Sequence, residues 1–237
     1  MERKYLIIIY SLFLTSILSC GELSSKKTLE NNKVHIDSLS TINDKVIPGK
    51  NKKPFIIRNS EVSLLKSSVN NREYSIYVKL PKSYKKSNEK FPILVLTDAG
   101  YAFPLVSSIY RRLSLTNKIE EFIIVGISYA KGEHFGISRT RDYTPTYSPN
   151  EPNGYSKEAR MVSGQADKFI DFINKDLFCF LQENYRIDMN KKVFAGHSLA
   201  GLLANYMVIS KPETFDYYLS GSPSLWYHNK SIFDLEK

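Results

Sequence analysis

The stretch from Val193 to Ala204 constrains this 237-residue chain more than any other. It runs as an apolar strand, Val193-Phe194-Ala195, then a tight turn, Gly196-His197-Ser198-Leu199-Ala200-Gly201, then the start of an apolar helix. Ser198 sits at the corner. A serine hydroxyl is a weak nucleophile, so chemistry there needs a strained turn that projects it toward a base, with the next N–H, that of Leu199, facing a developing oxyanion. The helix start adds a favourable partial positive charge. Gly196 and Ala200 keep side chains small where strand and helix approach. A strand-to-helix turn without chemistry is the alternative, and the buried strand before it and the helix after it weigh against that. Neighbouring residues on a tight turn point apart, so His197 reads as a packing or pocket-lining residue rather than a base.

The texture upstream agrees. Phe91–Leu96, Phe122–Ile127 and Val193–Ala195 are apolar runs without alternation, as expected of parallel strands buried on both faces. Between them, residues 164–185 return Phe169, Ile170, Ile173, Leu177, Phe180 and Leu181 at spacings of three and four, an amphipathic helix with Cys179 on its apolar side. Tyr74–Leu80 alternates and stops at Pro81, which predicts an antiparallel opening pair turning near Asn70-Asn71. Alternating strands and helices predict a three-layer α/β sandwich with a mostly parallel sheet and antiparallel N-terminal strands. Residues 126–155 read as a long loop over the sheet end where ligands bind.

Residues 1–20 place Arg3 and Lys4 before the uncharged run Tyr5–Leu18 and close on Ile17-Leu18-Ser19-Cys20. This reads as a secretory signal, too short to span a membrane, ending in a bacterial lipobox with Cys20 as the lipidated mature N-terminus. An ordinary cleaved signal and an uncleaved anchor are the alternatives. Residues 21–53, rich in Ser, Asn and Lys without periodicity, read as a disordered tether, and 54–237 as the folded domain. The expected location is the cell envelope, membrane-anchored and facing the periplasm or the outside.

Charge narrows the function. Of the net +9, residues 1–53 carry 9 basic and 5 acidic groups, which leaves 24 and 19 for the rest. So diffuse an excess is no nucleic-acid footprint. Two cysteines, Cys20 and Cys179, exclude a disulfide scaffold and a Cys-based zinc site.

Seven segments together resemble the Putative esterase family of α/β hydrolases, which includes enterobactin-type siderophore esterases. They are Tyr74–Tyr84, Leu96-Thr97-Asp98-Ala99-Gly100-Tyr101, Val125-Gly126-Ile127, Arg139–Pro145, residues 164–185 with Gly196–Leu202, and Ser222-Pro223-Ser224-Leu225-Trp226. The resemblance spans roughly residues 60 to 237 in consistent order. It implies a serine esterase acting on a small-molecule carboxylic ester without metal or other cofactor. Ser198 would be the nucleophile, with the N–H groups of Leu199 and Gly100 forming the oxyanion hole; Ala99 stands where the family usually has glycine. Tyr101, Arg139, Arg141, His197 and Trp226 are candidate pocket residues. For the two arginines, either contact with an anionic substrate or a structural ion pair with Asp142 fits the sequence.

The family's chain order of serine, acid, histidine is not completed here. After Ser198 the histidines reduce to His228, two residues beyond Trp226 and too soon to reach back over the nucleophile; His134 would reverse the order and His35 lies in the tether. The expectation is a domain lacking its C-terminal strands, with an unpaired sheet edge and little activity. A non-catalytic ligand-binding lipoprotein or truncated pseudoenzyme is the alternative.

Overall fold

The structure, a computed structural model, describes residues 6–9, 55–116 and 118–236. Cys20, His35 and the expected tether lie outside these residues. Of the described residues, 6–9, 57–116 and 118–236 belong to one compact unit.

Seven strands form one sheet: β1 (Leu6–Ile9), β2 (Ser60–Lys66), β3 (Glu73–Lys79), β4 (Phe91–Leu96), β5 (Ile123–Ala130), β6 (Ile187–His197) and β7 (Tyr217–Gly221), in the order β1-β7-β6-β4-β5-β3-β2. β2 and β3 pair antiparallel through a turn in which Asn71 takes a positive φ of 59°, and β3 joins β5 antiparallel. Pairings from β5 to β1 are parallel. In the full chain the β7 edge, expected to be open, is paired with β1, and removal of residues 1–19 would leave it unpaired. Backbone from Leu6 to Ile9, inside the stretch read as a signal, pairs along it.

The strands are apolar on both faces because both faces are covered. Ile93, Val95, Ile123, Val125 and Phe194 pack toward α4 (Ala166–Phe172), α5 (Phe178–Asn184) and α6 (Leu199–Ser210). Leu96 and Ile124 pack against α1 (Ala99–Ser114), where Gly126 admits the helix: a Cβ there would lie 2.9 Å from that of Ala99.

Two expectations are corrected. The segment 126–155 is not a continuous loop, since β5 runs to Ala130 and α2 spans Phe135–Tyr143. This helix shows no apolar period because its buried residues include Arg139, Thr140, Arg141 and Asp142. Cys179 is exposed and donates to Glu183 Oε1 at 3.3 Å. Between α4 and α5 the backbone makes one π-helical turn, Ile173–Leu177. That inserts roughly one residue and rotates the second half by ~100°, so Phe178 and Leu181 face inward and Cys179 does not.

Candidate active site

Parallel strands deliver their following turns to one end of a sheet. Leu96 of β4 is level with Ala195 of β6, and His197 of β6 with Gly221 of β7. The turns at Thr97–Gly100, at Ser198 and at Ser222–Trp226 are therefore neighbours.

Ser198 adopts φ 61° and ψ −117°, a region that costs a residue with a Cβ about 1–3 kcal/mol and persists only when the surroundings impose it. Here they do. Ser198 N donates to Gly221 O at 2.9 Å, while its own carbonyl accepts from Ser224 N and Leu202 N, both at 3.0 Å. The crossing admits no extra atom: a Cβ on Gly196 would fall 2.2 Å from Ala200 O, and one on Gly201 2.9 Å from Gly221 O.

The half-buried hydroxyl of Ser198 opens into a cleft of about 180 Å³ lined by Thr140, Asn153, Tyr155, Leu199, Trp226 and Tyr227, among others. Ser224 Oγ lies 3.2 Å from Ser198 Oγ. Leu199 and Gly100 occupy the first turns of α6 and α1, whose leading N–H groups have no partner within the helix. The start of α6 lines the cleft through Leu199 and is a favourable place for developing negative charge, whereas no residue of the Thr97–Gly100 turn lines it. Gly100 is exposed, and a Cβ built on it meets nothing within 4 Å.

Asp98 shapes the Gly100 turn. It caps α1 in the left-handed region, φ 55° and ψ 39°, and is 1% exposed. Arg139 grips it with a two-pronged contact, Nε to Oδ1 at 2.8 Å and Nη2 to Oδ2 at 3.0 Å. Burial opposes the Arg139 charge, but Asp98 outweighs it and holds the guanidinium above its usual range. Arg139 Nη1 also donates to Tyr155 OH, so one side chain ties the Gly100 turn to the wall of the Ser198 cleft.

The remaining predicted residues separate. Trp226 lines the serine cleft, whereas Tyr101 and His197 line a second, apolar cleft of about 450 Å³ between α1 and β7, with Leu96, Leu105 and Leu219. Arg139 and Arg141 line neither; both turn into the interior. Arg141, 1% exposed, donates through Nε and Nη2 to Asp142 and through Nη1 to Glu133, which leaves no face for a substrate. Burial and the opposing carboxylates explain why these arginines form ion pairs instead of a pocket wall. Sequence reasoning assigned no role to Ser224, Tyr155 or Asp98. For Ser224 and Asp98 the signal was present in the quoted motifs; for Tyr155 there was none.

The described histidines are engaged or face elsewhere. His228 Nδ1 pairs with Thr146 Oγ1 at 2.9 Å and its backbone N–H donates to Glu151 at 2.8 Å. His134 Nδ1 accepts from Gly136 N at 3.2 Å. Among the described residues no histidine is hydrogen-bonded to Ser198, and no group of three or more His, Cys, Asp or Glu could hold a metal ion.

A mixed sheet in this order, covered by helices on both faces, with a strained serine between a parallel strand and a helix, defines an α/β-hydrolase fold. Within that class the match is specific. Residues 67–233 match the family described as Putative esterase, and the chain belongs to it. It is 31% identical over 182 residues to the ferri-bacillibactin esterase BesA of Bacillus subtilis, covering 75% of this chain and 63% of that protein. It is 30% identical over 171 residues to a siderophore enterobactin esterase of Emericella nidulans, covering 67% and 56%. The BES protein of Bacillus cereus, known from a crystal structure, superposes with a TM-score of 0.66 at 27% identity, covering 78% and 69%. The chain thus spans under two thirds of the length of these two curated relatives.

Proposed function

We propose that this chain carries the nucleophile and oxyanion-binding turns of a serine-type carboxylic-ester hydrolase whose substrate is a siderophore ester. The observation that carries the reading is Ser198: a non-glycine residue held at φ 61° by three backbone hydrogen bonds, its hydroxyl at a cleft that the start of α6 also lines. In this scheme Ser198 Oγ adds to the ester carbonyl as its proton passes to a base. The carbonyl oxygen becomes an oxyanion facing the N–H groups of Leu199 and Gly100. The alkoxide leaves with a proton, and water then hydrolyses the acyl-serine. The siderophore class is supported by the names of the relatives, two of which are esterases of bacillibactin and enterobactin.

The test is adduct mapping. Prolonged exposure to a fluorophosphonate, followed by peptide mass spectrometry, is expected to place the adduct on Ser198, and Ser198→Ala to lose it. Reaction at another serine with Ser198 untouched overturns the reading.

The same proposal includes an envelope location, with Cys20 diacylated as the mature N-terminus, because a short apolar run with basic residues before it ends on Leu18-Ser19-Cys20. Mass spectrometry of the N-terminal peptide is expected to show the lipid. An unmodified Cys20 in the mature chain refutes it.

A further inference from the structure

Four cationic side chains of the described residues are buried. Three have carboxylate partners: Arg139 with Asp98, Arg141 with Asp142 and Glu133, and Lys192 with Asp216. The fourth, Lys79, does not. It ends β3 at the sheet end opposite Ser198, is 8% exposed, and its Nζ donates to the backbone carbonyl of Arg58 at 2.6 Å. Burial and the charge of Arg111 both disfavour its ammonium form and lower its pKa. Buried charges normally come with a partner of opposite sign, because desolvation is otherwise uncompensated.

Lys79 forms the inner wall of a recess of about 240 Å³ that is also lined by Arg58, Lys82, Arg111, Asn59 and Ser114. Among the described residues no acidic side chain lines it. The carbonyl end of α1 lies here and supplies roughly half a negative charge, against four side-chain cations. An adjoining recess of about 390 Å³ adds Lys85 and Lys86, with Glu61 engaged by Tyr185 OH. The arrangement suits a compact oxyanion: ammonium groups as point charges, guanidinium forks for paired oxygens, and a neutral donor at Asn59.

We infer that the Lys79 recess is a binding site for a phosphate-class oxyanion, presented by a soluble phosphoryl compound or by a lipid headgroup. It lies at the other end of the sheet from the esterase site, and nothing in that reaction requires it.

Thermal unfolding and titration calorimetry of the chain with inorganic phosphate, at ionic strength held constant with chloride, test this directly. Flotation with phosphatidylglycerol or phosphatidylcholine vesicles separates the two sources. A saturable phosphate-dependent rise in Tm is expected, or retention on phosphatidylglycerol vesicles alone. Loss of one charge-assisted contact weakens binding about tenfold or more, so Arg111→Gln, an exposed change, is expected to reduce either signal by that factor. Lys79→Met is expected to abolish it. Phosphate indistinguishable from chloride, together with vesicle binding absent or equal for wild type and Arg111→Gln, overturns the inference. So does an undiminished phosphate response in folded Lys79→Met.

Discussion

Replacing Arg139 by glutamine probes the contact on which the Gly100 turn rests. Asp98 and Arg139 are 1% and 7% exposed, and both Asp98 oxygens accept from the guanidinium. Removing one partner of such a pair leaves a buried charge unmatched, at about 3–5 kcal/mol. Against a typical domain stability of about 5–15 kcal/mol this is a large fraction. At about 2–4 °C per kcal/mol for a domain of this size, Tm should fall by ~6–20 °C. Asp98 also holds a left-handed conformation that favours glycine, so the turn loses the contact that imposes it. Arg139→Lys keeps the charge but not the fork and should fall between wild type and Arg139→Gln. The double change Asp98→Asn with Arg139→Gln leaves no buried charge, so its loss should be smaller than the sum of the single losses. Urea unfolding followed by circular dichroism gives all four values. Arg139→Gln within ~1 kcal/mol of wild type, or a strictly additive double variant, would refute the reasoning.

Gly196→Ala sets a Cβ 2.2 Å from the Ala200 carbonyl oxygen, a backbone atom that cannot step aside; a loss of about 1–3 kcal/mol and of Ser198 labelling by fluorophosphonate is expected, read by urea unfolding and mass spectrometry. Burial raises the Glu133 pKa, but Arg141 and Arg72 together outweigh it and leave the group below its ordinary 4.5. A depressed carboxylate stabilises above the unfolded pKa and loses that contribution as pH falls through the folded one. Glu133→Gln should therefore be the less stable protein at pH 7, with the gap closing below about pH 4, as denaturation midpoints across pH will show. His228 is held by Thr146 and Glu151. Turnover of a p-nitrophenyl ester by the 237-residue chain should be a trace, orders of magnitude below a complete triad, and unchanged in His228→Ala; a tenfold drop in that variant would make His228 the base.

What the sequence by itself determined is what short-range pattern encodes. Unbroken apolar runs marked β4 and β5 because a strand covered on both faces has no polar side to show, and Tyr74–Lys79 alternated because its faces differ. Gly196, Ser198 and Ala200 disclosed the elbow, since a close crossing of strand and helix excludes larger side chains at defined offsets. Only the tertiary structure decided which polar groups meet. Asp98 and Arg139 are 41 residues apart, and Ser198 and Ser224 are 26 apart. Periodicity carries nothing about such pairings, because they depend on where separate elements come to rest on the sheet. The same holds for Cys179, turned outward by a π-helical turn that breaks the period used to place it. It holds too for Lys79, whose neighbours Arg58 and Arg111 come from a loop and a helix that fold order alone brings together. Charge partners are chosen in space, across elements, and a one-dimensional pattern records only the face on which each residue lies.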